Sequence, residues 1–248
     1  SVLTLDPGVT LHFASTGQLL VAYYNSGSIE AVGTAGAPIT FTSLSGTIGD
    51  WNGIALGTYN QSSRFEHCII EKAGPSADGL VCYGGDLTLH RTTFQDPGGT
   101  CLYIAGTAGT VVDSCAISGS PGRTVLVSSD NVQMQNTDVS SVTGVALQNG
   151  ASPVYDNVTF TSADSFAVYS TGGAPVFAAC DLAGQRGGAD AAERQFAGVH
   201  LSADRDPAGP VRRGDPPRRG GSVEVPDRHA RARGDLYQPL QRLRGAAQ

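Results

Sequence analysis

Apolar and polar positions along the chain form a ladder that runs from Phe65 to Leu182. Its unit is an apolar residue, a small or thiol side chain three positions on, and a second apolar residue two beyond that. The units are Phe65/Cys68/Ile70, Leu89/Thr92/Phe94, Val112/Cys115/Ile117, Met134/Thr137/Val139, Tyr155/Val158/Phe160 and Phe177/Cys180/Leu182. Successive units start 24, 23, 22, 21 and 22 residues apart. A repeat of that length without helical periodicity predicts one coil of a β-solenoid per unit. A second strand follows in each rung, marked by Leu80/Cys82, Leu102/Ile104, Val125/Val127, Val145/Leu147 and Phe166/Val168, and alternation places each of these pairs on the interior face. Immediately before the small or thiol step stand His67, Arg91, Ser114, Asn136, Asn157 and Ala179. Asn at two of these positions suits a left-handed residue, so the chain is expected to bend there between two short strands. The fold class is therefore all-β, with about three strands per coil stacking into parallel sheets around a narrow apolar core.

Ahead of the ladder, residues 1–58 are the expected opening coils or cap of the solenoid. Strand-like alternation occurs in Val2-Leu3-Thr4-Leu5, Val9-Thr10-Leu11-His12-Phe13, Ile39-Thr40-Phe41-Thr42 and Ile54-Ala55-Leu56, between turn signals such as Asp6-Pro7-Gly8, Asn25-Ser26-Gly27 and Gly36-Ala37-Pro38. The runs Leu5-Asp6-Pro7-Gly8-Val9-Thr10, Gly33 through Ser43 and Gly49-Asp50-Trp51-Asn52-Gly53-Ile54, taken with the ladder, resemble bacterial right-handed parallel β-helix repeat proteins of the pectin-lyase-like superfold. The resemblance spans about residues 1 to 184. It implies a right-handed parallel β-helix, in line with the usual chirality of parallel crossovers, and a secreted or cell-surface location. It does not select a chemistry, because that superfold carries lyases, hydrolases, adhesins and proteins without known activity. Residues 59–184 are the repeat rungs, about 22 residues each.

Composition changes the picture after Gly184. Up to that point four basic residues (Arg64, Lys72, Arg91, Arg123) face fourteen acidic ones, whereas residues 185–248 hold twelve Arg, no Lys, eight acids and six of the thirteen Pro. The rung pattern stops there too. Three readings of this Arg/Pro/Gly-rich tail stand side by side: a disordered basic segment, a separate small module, and an out-of-frame product of a GC-rich gene. The last is preferred, because a one-base shift in such DNA yields this mixture of Arg, Gly, Pro and Ala. An acidic body argues against nucleic acid as a partner, since non-specific affinity for it comes from Lys and Arg neutralising phosphates. No apolar run is long enough to span a bilayer as a helix. The chain opens at Ser1 without a signal segment, so a processed form or a fragment is expected.

Five Cys are present. Cys68, Cys115 and Cys180 share one ladder position on rungs separated by at least one other, and at roughly 4.8 Å per rung they stand about 9.5 Å or more apart. A disulfide needs Cα atoms within about 7 Å, so these three read as small buried hydrophobes. Cys82 and Cys101 fall on adjacent rungs and are the one candidate pair. Five scattered His and the absence of a Cys-x-x-Cys motif give no zinc site, and no phosphate-cradling loop or other cofactor motif occurs.

Candidate chemistry lies at outward positions. The residue after each first ladder position reads Glu66, His90, Asp113, Gln135, Asp156 and Ala178, and Glu66, His90 and Asp113 form the best polar column. Its two carboxylates, two rungs or about 9.5 Å apart, meet the upper separation used by inverting glycosidases. Against this, outward positions of a solenoid are polar in any case. A lyase would want a base such as Arg91 near a carboxylate, and long loops to wall a groove; only the turn from Glu71 to Gly79, with Asp78, offers one. Trp51, Tyr59, Tyr83 and Tyr103 are candidates for stacking on sugar rings, although a packing role is the preferred reading for Trp51 and shielding of the coil the preferred one for Tyr83 and Tyr103, which flank interior strands. The favoured expectation is a non-catalytic extracellular module, a spacer or a surface that contacts polysaccharide or cell-surface glycan. The alternative is a polysaccharide lyase or glycoside hydrolase. No cofactor or metal is assigned.

Overall fold

Left-handed backbone recurs at every position where the sequence places a bend. His67, Arg91, Ser114, Asn136, Asn157 and Ala179 have φ of 48, 49, 55, 48, 53 and 49°. Each such residue ends one short strand and starts another at an angle to it. From His67 to Asn157 its N–H reaches the next coil, as in His67 N to His90 O at 3.1 Å and Arg91 N to Asp113 O at 3.0 Å. The residue after the bend donates to the carbonyl two positions back: Thr92 to His90 O at 3.2 Å, Cys115 to Asp113 O at 3.3 Å, Thr137 to Gln135 O at 2.7 Å and Cys180 to Ala178 O at 3.2 Å. A side chain carrying a donor one bond beyond Cβ satisfies that corner without enlarging it, which accounts for Cys and Thr there; Val158 takes the same place without a donor.

The computed structural model describes residues 1–74, 78–106, 108–121, 124–141, 145–147, 151–162, 168–170 and 173–184. They form three parallel sheets and no helix. The first sheet has eight strands, from Val2–Leu5 to Val176–Ala178; the second has eight, from Thr10–Phe13 to Asp181–Gly184; the third has seven, from Leu19–Val21 to Val168–Ser170. Each coil visits the three in turn, so every strand pairs with its counterparts one coil away. Residues 185–248, and with them the readings of the tail, lie outside the described residues.

The ladder is the core. Phe65, Leu89, Val112, Met134, Tyr155 and Phe177 stand in direct register down the first sheet, and all eighteen ladder residues are buried. It also begins earlier than the sequence suggests, since Leu5 pairs with Ala31 and Ala31 with Phe65. The second sheet likewise stacks Leu11, Phe41 and Ile70. The steps Leu5 to Ala31 and Ala31 to Phe65 are 26 and 34 residues. The longer one accommodates a small antiparallel loop at the first bend, where Thr34 and Ala37 exchange backbone hydrogen bonds of 3.1 Å.

The third sheet follows the expected pairs with one correction. Leu80, Leu102 and Val125 are in register, as are Cys82, Ile104 and Val127. In the last coil, however, Val168 pairs with Val145 and Ser170 with Leu147, so Phe166/Val168 is offset by two residues from the expected alignment. A shift of two preserves the face, which is why alternation alone cannot detect it; Phe166 lies outside the described residues. Cys82 and Cys101 do not pair, and all five thiols are free and buried. Cys82 lies level with Leu56 and Ile104, while Cys101 precedes the strand and points its thiol at Ser118 O, 3.4 Å away.

Candidate functional site

Outward positions on the three sheets differ in character. On the first sheet Glu66, His90, Asp113, Gln135, Asp156 and Ala178 stand in register. The His90 ring lies between two carboxylates, with Nδ1 3.3 Å from Glu66 Oε1 and Nε2 3.6 Å from Asp113 Oδ2. Arg64, two residues before Glu66 and on the same face, forms an ion pair with it. Burial acts to raise the Glu66 carboxyl, but the His90 hydrogen bond and the Arg64 guanidinium outweigh it and hold Glu66 below the usual range. The Asn136 amide, at 2.9 Å, is the main influence lowering Asp113, working against burial with help from Ser114, Gln135 and His90. Asn157 in turn donates to Asn136 at 2.9 Å, so a short amide ladder runs beside the column. Arg91 sits at the left-handed bend with an exposed side chain, and no ion pair from it occurs among the described residues.

The column is therefore brought together as the spacing predicts, and its members are engaged with one another. The imidazole fills the gap between Glu66 and Asp113, where an inverting hydrolase needs a water. A depression of about 340 Å³ lies over it, lined by Arg64, Thr88, Leu89, His90, Val111 and Asp113. A second, of about 700 Å³, adjoins it across Thr88 and Val111 and reaches Asp86 and Asp130, above the missing side chain of Gly109. Asp130 already accepts the Ser152 N–H at 2.9 Å.

On the third sheet the outward column reads Leu20, Ala55, Val81, Tyr103 and Leu126. Every one is apolar or aromatic, although Ala55 and Val81 are buried and only Leu20 is exposed; the first sheet alternates polar Thr88 and Gln133 with exposed Val111, Val154 and Val176 on its outer face. Alternation past Cys82 turns Tyr83 outward beside Tyr103, with ring centroids 6.3 Å apart and planes at 78°. Tyr83 is 41% exposed and Tyr23, from the turn after Leu19–Val21, is 46% exposed. Burial, and then the charges of Asp78, Tyr103 and Tyr23, push the Tyr83 phenol up. Asp78, hydrogen-bonded to Thr100, is held above the usual Asp range by burial. Tyr59 is exposed close by in chain, its N–H on Ala22 O at 3.3 Å. Trp51, by contrast, is fully buried, stacked on Phe13 at 4.3 Å and 9°, with its indole N–H on Glu71 O at 2.9 Å.

Sequence reasoning found Tyr83, Tyr103, Tyr59 and Asp78 but missed Tyr23 and Arg64. Arg64 was legible from strict alternation, being two residues before Glu66. Tyr23 was not, because its neighbourhood depends on the register of the two long opening coils. Among the described residues, no group of three or more His, Cys, Asp or Glu is arranged to hold a metal ion. A family model described as "Right handed beta helix region" matches residues 32–182. No curated protein and no solved structure matches the chain.

Proposed function

This chain belongs to the right-handed β-helix family, and we propose that within it the chain is a non-catalytic module of a secreted or surface protein whose third sheet contacts carbohydrate. The observation that carries this reading is the set of exposed Leu20, Tyr23 and Tyr83 and half-buried Tyr103 on or beside the third sheet. Large apolar and aromatic side chains exposed near one another support a contact surface. Tyrosine rings offer a flat apolar face to a sugar ring and a hydroxyl for its polar edge. The competing enzymatic reading relies on Glu66 and Asp113, whose carboxylate oxygens lie 3.3 and 3.6 Å from the His90 ring nitrogens; that engagement favours the non-catalytic reading.

Incubating the full chain with a panel of acidic and neutral polysaccharides tests this. The expected outcome is retention of the protein by at least one of them, without new reducing ends or unsaturated products. Product that forms with the unsubstituted chain and disappears in Glu66→Gln or Asp113→Asn would establish the enzyme instead.

A further inference from the structure

Resting on the proposed carbohydrate contact, we infer that the third-sheet face takes a neutral polysaccharide and rejects polyuronates and other polyanionic glycans. The charge distribution is the first reason. Each residue of a polyuronate carries a carboxylate, which a protein must meet with Lys, Arg or a bound cation. The three described cations are engaged or lie elsewhere. Arg64 pairs with Glu66 on the first sheet, Arg91 stands at the bend from the first sheet to the second, and Lys72 lies 3.3 Å from Glu71 at the end of the second. Up to Gly184 acids outnumber bases fourteen to four, so the surrounding field repels an anionic chain at low salt.

The composition of the face is the second reason. Leu20, Tyr23, Tyr83 and Tyr103 supply ring and methyl surface, and Asp78 with Thr100 supplies the polar rim. Asp78 is a hydrogen-bond acceptor for sugar hydroxyls when ionised and a donor when protonated. In its ionised form it opposes a carboxylate directly. Apolar ring faces with hydroxyl and carboxyl partners suit a neutral glycan.

The test is affinity electrophoresis of the full chain in gels containing galactomannan, xyloglucan, polygalacturonate or alginate. The expected result is retardation by a neutral glycan that is unchanged between roughly 0.01 M and 1 M salt, because screening acts only on charges, and none by the two polyuronates at low salt. Tyr83→Ala and Tyr103→Ala each lower the association constant by about two- to tenfold, while Tyr83→Phe and Tyr103→Phe, which keep the ring, retain most of it. Perturbation of tyrosine absorbance in the unsubstituted chain on adding a neutral oligosaccharide gives a readout that does not depend on variant folding. Tighter, salt-sensitive binding to polygalacturonate or alginate overturns the neutral-glycan inference and leaves the carbohydrate-contact reading standing. Retention by none of the four overturns both.

Discussion

Replacing Tyr155 by Phe should stabilise the protein. Tyr155 occupies the fifth ladder position with no exposed surface, stacked on Phe177 at 5.0 Å and edge-on to Phe160 at 5.2 Å. Its hydroxyl is buried without a hydrogen-bond partner, and burial drives its ionisation far above the ordinary phenol range. An unsatisfied buried hydroxyl costs about 1–3 kcal/mol. Deleting it removes that cost and leaves a void the size of one oxygen, whose lost contacts return a few tenths of a kcal/mol, at roughly 0.1–0.2 kcal/mol per atom pair. The net expectation is a gain of about 1 kcal/mol, a factor of about five in the folded-to-unfolded ratio and an upward shift in Tm of about 2–4 °C for a chain of this size. Urea titration followed by circular dichroism measures it, with an unchanged m-value confirming that the same surface is exposed. A loss of stability of about 1 kcal/mol in Tyr155→Phe would refute the reasoning, because it would mean that the hydroxyl holds a trapped water.

Two further predictions concern titrating groups. Burial pushes Cys68 and Cys101 up to about 12 and Cys82 and Cys115 up to about 11 from 9.0. At pH 8 the thiolate fraction of the first two therefore falls about a thousandfold, and Ellman's reagent should find the described thiols inert until the coil unfolds; rapid reaction of any of them in native buffer would contradict the packing described. Asp78→Asn should stabilise the protein increasingly as pH rises from about 4 towards 7. The folded state raises the Asp78 carboxyl above its unfolded value of 3.8, so the wild type keeps its full stability below that value and loses some as pH climbs through the folded pKa. Glu66, Glu71 and Asp113 are lowered and behave oppositely, contributing stability above their unfolded values that is lost as pH falls through the folded ones. Denaturation midpoints at pH 3.5 and pH 7 separate the two, and a variant equally stabilised at both would count against an origin in charge.

Interior positions were legible because one coil constrains the next. Phe65, Leu89, Val112, Met134, Tyr155 and Phe177 must fill the same slot in successive layers, so chemistry repeats at a spacing that can be counted. The left-handed bends were legible for the same reason, and two Asn among six positions were enough to mark them. The opening coils hid their register because the loop Gly33–Pro38 lengthens one of them, moving Ala31 and Phe65 to 34 residues apart. The two-residue offset of Val168 was equally hidden, since it leaves every side chain on its expected face. The Cys82 and Cys101 separation needed the true strand register, which sets Cys82 against Ile104.

Outward positions obey no such constraint, and that is where function has to be sought in this fold. The polar column Glu66, His90 and Asp113 attracted attention from sequence because its residue types are those of catalysis, yet in the structure each member is satisfied by the others and by Arg64 and Asn136. Such mutual satisfaction stabilises stacked coils. The third sheet departs from expectation in the opposite direction. Leu20 and Tyr103 occupy positions where water would be served better by polar groups, and Tyr23 and Tyr83 extend the same surface. Polar residues on an outer face are explained by solvent alone, and large apolar ones exposed near one another are the stronger pointer to a contact. The more informative signal on a solenoid is therefore the column that solvent does not explain, and here that is the tyrosine-bearing face of the third sheet.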